Sequence, residues 1–147
     1  MSAFADSSAI VKLYADEQGH AEIRRLTAIA VSQVSRVEVP AALWAKQRRG
    51  ELGADDARTL TADFEADYFG GGDEEARLAA VAVSARLLDQ AARLSASHGL
   101  RAYDAIQLAS ALAARAADPG CEAFAVFDGA LRAAAAAEGF TLLPPDP

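Results

Sequence analysis

The chain has 147 residues, 52% of them hydrophobic and 24% charged, enough for one ordinary core and too apolar for a disordered chain. Its 38 Ala and absence of Asn suit packed helices and exclude collagen-like, mucin-like and low-complexity chains. A net charge of −7 argues against nucleic-acid binding by bulk charge, though not against an enzyme with a local basic rim around an acidic metal site.

Taken in chain order, Ser2 to Ala5 reads as a first buried strand ended by Asp6. Ser7 or Ser8 is then placed to cap a helix carrying Ile10, Val11, Leu13 and Tyr14. His20 to Leu26 reads as a short helix and Ala28 to Val31 as a second strand. A longer helix runs from about Val34 to Arg49 and stops at Gly50. Ala54 to Tyr68 is an acidic amphipathic helix, followed by Gly70-Gly71-Gly72, read as the most flexible stretch. No Lys-Ser/Thr follows these glycines, so they are not a phosphate loop.

Leu78 to Val83 fits a strand or a helix start, and Ser84 to Ser97 a helix ended by His98-Gly99. Helix Ala102 to Ala116 closes at Asp118-Pro119-Gly120. Glu122 to Phe127 reads as a strand, Gly129 to Glu138 as a helix, and Phe140 to Leu143 as a last strand. This alternation predicts an α/β fold with a short, mostly parallel sheet covered on both faces. It is expected to form one domain over residues 1–143, with 144–147 a flexible tail. No long uncharged apolar run and no basic leader are seen, and Cys121 is alone. The expectation is therefore a cytoplasmic protein without membrane span, disulfide or Cys-based metal site.

In a parallel sheet, sites form beyond the carboxyl ends of the strands. Asp6 follows the first strand and Asp128 the strand ending at Phe127, while Glu38 lies on the first turns of its helix. Glu38 (in Val37-Glu38-Val39) and Asp104 (in Ala102-Tyr103-Asp104-Ala105-Ile106) sit among apolar neighbours, which is costly unless the charge is paired or metal-bound. Each acid also has a local reading. Asp6 can end a strand, Ser35 and Glu38 can form a capping box, Asp104 can cap its helix with Gln107 reaching back, and Asp128 can be a turn or cap residue. Taken together, four carboxylates without His or Cys form a hard-ligand set that selects Mg²⁺, or Mn²⁺, over zinc. Phosphodiester hydrolysis is the natural reaction class for such a set.

Four ordered segments carry a resemblance: Ala5-Asp6-Ser7-Ser8-Ala9-Ile10-Val11-Lys12-Leu13-Tyr14; Ser35-Arg36-Val37-Glu38-Val39-Pro40-Ala41-Ala42-Leu43; Leu100-Arg101-Ala102-Tyr103-Asp104-Ala105-Ile106-Gln107-Leu108-Ala109; and Phe124-Ala125-Val126-Phe127-Asp128 with Leu131 and Gly139. With them the chain resembles the PIN-domain family, in particular the VapC-type toxins of bacterial toxin–antitoxin pairs. The resemblance implies a three-layer α/β/α domain acting as a Mg²⁺-dependent endoribonuclease. Asp6, Glu38, Asp104 and Asp128 match its catalytic, metal-binding acids, and Ser7 a supporting hydroxyl. It also implies an RNA substrate, a cognate VapB-type antitoxin and a homodimer. One departure is Val126, where many relatives carry Thr or Ser.

Other residues are read more plainly. Arg101 either pairs with Asp104 or meets RNA. Lys46, Arg48 and Arg49 complement a helix end or form a rim. Tyr103 and Trp44 are expected in the core or an interface, and His20 and His98 lack a general-base pattern. The rival reading is a non-catalytic PIN-like module that binds a protein. A phosphatase is disfavoured because no Asp stands two positions after Asp6.

Overall fold

The computed structural model describes residues 2–146. Five strands, β1 (Ser2–Ala5), β2 (Ala28–Ser32), β3 (Leu78–Val81), β4 (Ala123–Ala125) and β5 (Thr141–Leu143), form one sheet. Seven helices accompany them among the described residues: α1 (Ser7–Tyr14), α2 (His20–Ile23), α3 (Ser35–Arg48), α4 (Ala54–Phe69), α5 (Ala85–His98), α6 (Ala102–Ala117) and α7 (Gly129–Ala137). The strand order is β3-β2-β1-β4-β5 and every pairing is parallel. The sheet expected to be mostly parallel is thus parallel throughout its described strands. Leu78 to Val81 resolves as strand because it pairs residue for residue with Ile29 to Ser32.

Alternation along the strands builds two apolar layers. Phe4, Phe124 and Val126 face α5, α6 and α7, meeting Leu94, Leu108, Leu131 and Phe140. Ala3, Ala5, Ile29, Val31, Ala123 and Ala125 face α1, α3 and α4, meeting Ile10, Val39, Leu43 and Phe64. The result is a three-layer α/β/α sandwich. Phe4 and Phe140 each meet the Phe124 ring edge to face, at 5.1 and 5.5 Å between centroids, a favoured aromatic geometry. On the opposite face the strand residues are mostly Ala, and small side chains let α1 and α3 approach the backbone closely. Part of the alanine bias therefore serves the sheet as well as the helices.

From β1 the chain winds outward through β2 to β3, then crosses back to β4 on the other side of β1. The carboxyl ends of β1 and β4 thus flank the point where the winding reverses, the place where such sheets form their crevices. On the far edge, Arg132 of α7 donates to the Pro144 carbonyl at 2.8 Å and pairs with Asp146.

The glycine run contains a tight turn. Gly71 bridges to Glu74, and Gly70 adopts φ +73°. A Cβ at Gly70 would lie 2.7 Å from the Glu74 carbonyl oxygen and 2.9 Å from the Ala76 nitrogen. Gly50 has a similar φ of +77° but open space around it. Gly70→Ala is therefore expected to cost about 2–3 kcal/mol and Gly50→Ala about 1 kcal/mol, measured by urea unfolding. Equal costs would show that backbone crowding at Gly70 is relieved by a shift of the turn.

Candidate active site

Asp6 leaves the central strand and is itself the N-cap of α1. Its backbone is extended, and its Oδ1 accepts the Ala9 N–H at 2.9 Å. Ser8 donates to the same carboxylate at 3.0 Å. The structure thus corrects the expectation that Ser7 or Ser8 caps this helix. The two serines lie one and two positions beyond the cap, and the Asp6 carboxylate takes the free Ala9 N–H. Asp6 is also buried. Burial, with a smaller push from the charges of Asp104 and Glu38, raises its carboxyl to about 6 against the lowering by Ala9 and Ser8.

Glu38 forms no capping box. Helix α3 starts at Ser35 without a side-chain cap, and the Ser35 hydroxyl lies 2.8 Å from that of Ser7 instead. Glu38 Oε1 accepts from Ser7 Oγ at 2.8 Å and from Gln107 Nε2 at 2.9 Å. The tertiary partners outcompete the local box because they reach the same atoms from a helix already packed alongside. Asp104 likewise does not cap α6. Arg101 occupies the cap position without a side-chain bond, and Gln107 points to Ser7 and Glu38. Burial raises the Asp104 carboxyl, and Asp128 raises it further, while Arg101 lowers it.

Asp128 is exposed and does cap its helix, accepting the Leu131 N–H at 3.0 Å. Val126 is buried between strand and helix, with its N–H on the Leu143 carbonyl and its own carbonyl held by Arg132. No side-chain hydroxyl supports the site from there.

The electrostatic links run in pairs: Asp6 with Asp104, Asp6 with Glu38, and Asp104 with Asp128. Among the described residues, no three His, Cys, Asp or Glu side chains stand close enough together to hold a metal ion by themselves. The donor chemistry nonetheless fits a hard divalent cation. All four groups are carboxylates, and Mg²⁺ is commonly held by one or two carboxylates with the rest of its shell left to water and phosphate oxygens.

The surroundings settle several smaller readings. Arg101 stands 3.6 Å from Asp104 with 86% of its side chain exposed, a loose rim contact rather than a buried pair. Lys46 is tied to Glu17 at 2.5 Å and Arg49 to Glu51 at 3.0 Å, which favours the local role for that helix end. His98 pairs with Glu138, away from the carboxylates. Tyr103 is 60% exposed, so it is not a core residue. Sequence reasoning missed Gln107 and Ser35 as parts of the network. The available signal was a Gln one helical turn after Asp104 in an apolar run, which was assigned a capping role.

Comparison with known proteins agrees with this architecture. The PIN domain family profile matches residues 3–137. Two relatives from Mycobacterium tuberculosis, Ribonuclease VapC45 and Ribonuclease VapC49, are each 34% identical over 96% of this chain and 94% of their own length. Among solved structures, the VapC20 toxin of Mycobacterium tuberculosis, described as sarcin-ricin loop cleaving, superposes with a TM-score of 0.60 at 21% identity, over 90% of this chain and 95% of that one. A toxin-antitoxin complex from Klebsiella pneumoniae gives 0.55 at 19% identity, over 86% and 87%. No helix among the described residues is long and apolar enough to cross a membrane.

The raised Asp6 carboxyl makes a signed prediction for the metal-free protein. Because the fold prefers the protonated form, this stability is complete below the ordinary value of 3.8 and is lost as pH rises through about 6. Asp6→Asn removes the charge and keeps the cap. In chelator at pH 8 it is expected to be more stable than wild type by up to about 3 kcal/mol, and near pH 4 to match it. Melting both proteins across that range checks this. A variant less stable than wild type at pH 8 would show that capping by the carboxylate outweighs its burial.

Proposed function

The chain belongs to the PIN-domain family, and from that membership and the carboxylate geometry we propose that it is a Mg²⁺-dependent endoribonuclease toxin neutralised by a cognate antitoxin. The observation that carries the reading is Asp6, a carboxylate at the carboxyl end of the central strand whose pKa is raised by burial and then by the charges of Asp104 and Glu38, in a chain similar over nearly its whole length to two ribonucleases. A group held at such electrostatic cost is a functional-site candidate. A bound cation reverses the cost by supplying the charge that the three acids lack.

Asp6 and Asp104 are assigned as the residues that hold Mg²⁺, or Mn²⁺ in its place. Glu38 completes the site from α3, and Asp128 acts from the rim. When bound, the ion supplies Lewis-acid stabilisation of phosphate charge and activation of water. The chain's own residues do the rest. Ser8 and the Ala9 N–H fix the Asp6 carboxylate, and Ser7 and Gln107 fix that of Glu38. Arg101 stands exposed beside Asp104, placed to meet a phosphate of the RNA strand.

Partner binding fits the same rim. Val37, 70% exposed, adjoins Glu38, and exposed Tyr103 adjoins Asp104. An antitoxin segment both apolar and basic would cover these side chains and set a cation against the carboxylates, as the net charge of −7 also favours. A homodimer through the apolar faces of α5 and α6, where Leu88 is exposed, a cytoplasmic location and a single domain over residues 1–143 belong to the same reading.

Asp6→Asn and Asp104→Asn are each expected to lower cleavage of a structured RNA by about two orders of magnitude or more at saturating Mg²⁺, with Asp128→Asn milder. A small phosphomonoester serves as the control and should remain intact. Asp104→Asn should also lose the thermal stabilisation that Mg²⁺ gives the wild type. Full cleavage by either variant removes that residue from the site, and no cleavage by wild type supports the non-catalytic, protein-binding alternative.

A further inference from the structure

Gln107 is a polar side chain, 2% exposed, on a helix otherwise buried through Ala105, Leu108, Ala109 and Ala111. Burying an amide is costly unless its groups are bonded. Both protons of Nε2 are used, one on Ser7 Oγ and one on Glu38 Oε1, each at 2.9 Å. Oε1 finds no partner among the described residues. The side chain therefore bears the cost of one orphaned acceptor in order to aim its donors at Ser7 and Glu38. Turning the amide over would place its oxygen against the Glu38 carboxylate, so the orientation follows from the partners.

Ser7 is fully accounted for in the same way. Its single proton goes to Glu38, and it accepts from Gln107 and Ser35. Both bonds to Glu38 fall on Oε1, which leaves Oε2 as the oxygen presented to a ligand. Gln107 lies three residues after Asp104, so both belong to one face of α6. One helix thus presents a carboxylate of its own and, a turn later, the amide that orients a carboxylate of α3.

We infer that Gln107 is a positioning residue for this site: it acts through Glu38, holding that carboxylate in one orientation from α6, and touches neither metal nor RNA itself. The inference rests on the metal-nuclease reading for its consequence, and on the hydrogen bonds alone for its geometry. Partners that orient a metal ligand typically matter about 10- to 100-fold in metal affinity.

The test is a four-protein cycle of the full chain, comprising wild type, Gln107→Met, Glu38→Ala and the double variant, titrated with Mn²⁺ by electron paramagnetic resonance. Gln107→Met should bind Mn²⁺ about 10- to 100-fold more weakly, and the double variant no more weakly than Glu38→Ala. Wild-type affinity in Gln107→Met, or the same fold-loss in both backgrounds, overturns the inference, since a merely structural residue would act independently of Glu38. Gln107→Asn, polar but one methylene too short to reach, should repeat the loss if the Met variant does not fold. In metal-free protein, Glu38→Ala should shift the Gln107 side-chain amide proton resonances, and unshifted resonances would also overturn it. A wild type that binds no Mn²⁺ overturns the nuclease reading alone, and the amide shift then decides the role of Gln107 separately.

Discussion

The structure turns on keeping one carboxylate dry. Asp6 follows a strand whose last three residues, Ala3, Phe4 and Ala5, are fully buried. Its position at the end of the central strand surrounds it with protein on both sides of the sheet. Only the Ala9 N–H and the Ser8 hydroxyl offset the lost hydration, and they offset it incompletely, since its carboxyl remains well above the ordinary value. A fold selected only for stability would have Asn or Ser at this cap. An acid there, buried and with two more acids raising it, fits the cation proposed for this site.

The strand order explains how residues so distant in sequence meet. Because β1 is central, the helix that follows it, α1, packs against α3 on one face, while α6 crosses the carboxyl end from the other. Ser7, Ser35, Glu38 and Gln107 come from these three helices and join in one hydrogen-bonded group. A second, deeper contact continues it, with the Ser110 hydroxyl 2.9 Å from that of Ser32 at the end of β2. Polar groups therefore form a seam through the otherwise apolar layers where α6 meets the strand ends. A seam of this kind fixes the register of α6 against the sheet, because sliding the helix by one residue would break both bonds of Gln107 and the Ser110–Ser32 contact at once.

Much of the architecture was legible in the sequence because parallel strands and amphipathic helices leave different apolar periods. The alternation predicted the layered sheet, and it put Asp6 directly after the first strand, where the fold has it. What local pattern could not settle was the use of each acid. A cap residue and a metal ligand are both short, polar and placed at a helix start, so Asp6 satisfies both descriptions, whereas the sequence pattern gave the cap to Ser7 or Ser8 and left Asp6 as a strand end. Ser35 with Glu38, and Asp104 with Gln107, have the spacing of capping boxes, yet in the fold Ser35, Glu38 and Gln107 are claimed by partners 28 to 100 residues away, and Asp104 stands beside Arg101 without capping α6. Of the two places read for Tyr103, core or interface, its exposure removes the core. An aromatic at a helix start reads as apolar filler, whereas the first turn of α6 projects beyond the sheet into solvent.

The four acids are consequently unequal, and the inequality is physical. Asp6 is buried and committed, with its charge disfavoured by its surroundings. Asp104 is half-buried, with 23% of its side chain exposed, and it feels Asp128 on one side and a loosely held Arg101 on the other. Asp128 is exposed and already bonded to Leu131, and the position two residues before it is a buried Val that offers no hydroxyl. Charge interactions weaken steeply as water enters between the groups. An ion would therefore gain most between Asp6 and Asp104 and least from Asp128, whose remaining influence is a diffuse negative field at the rim. The same gradient runs from the dry centre at Asp6, where one charge weighs most on stability, to the wet edge at Arg101 and Asp128, where water screens each charge.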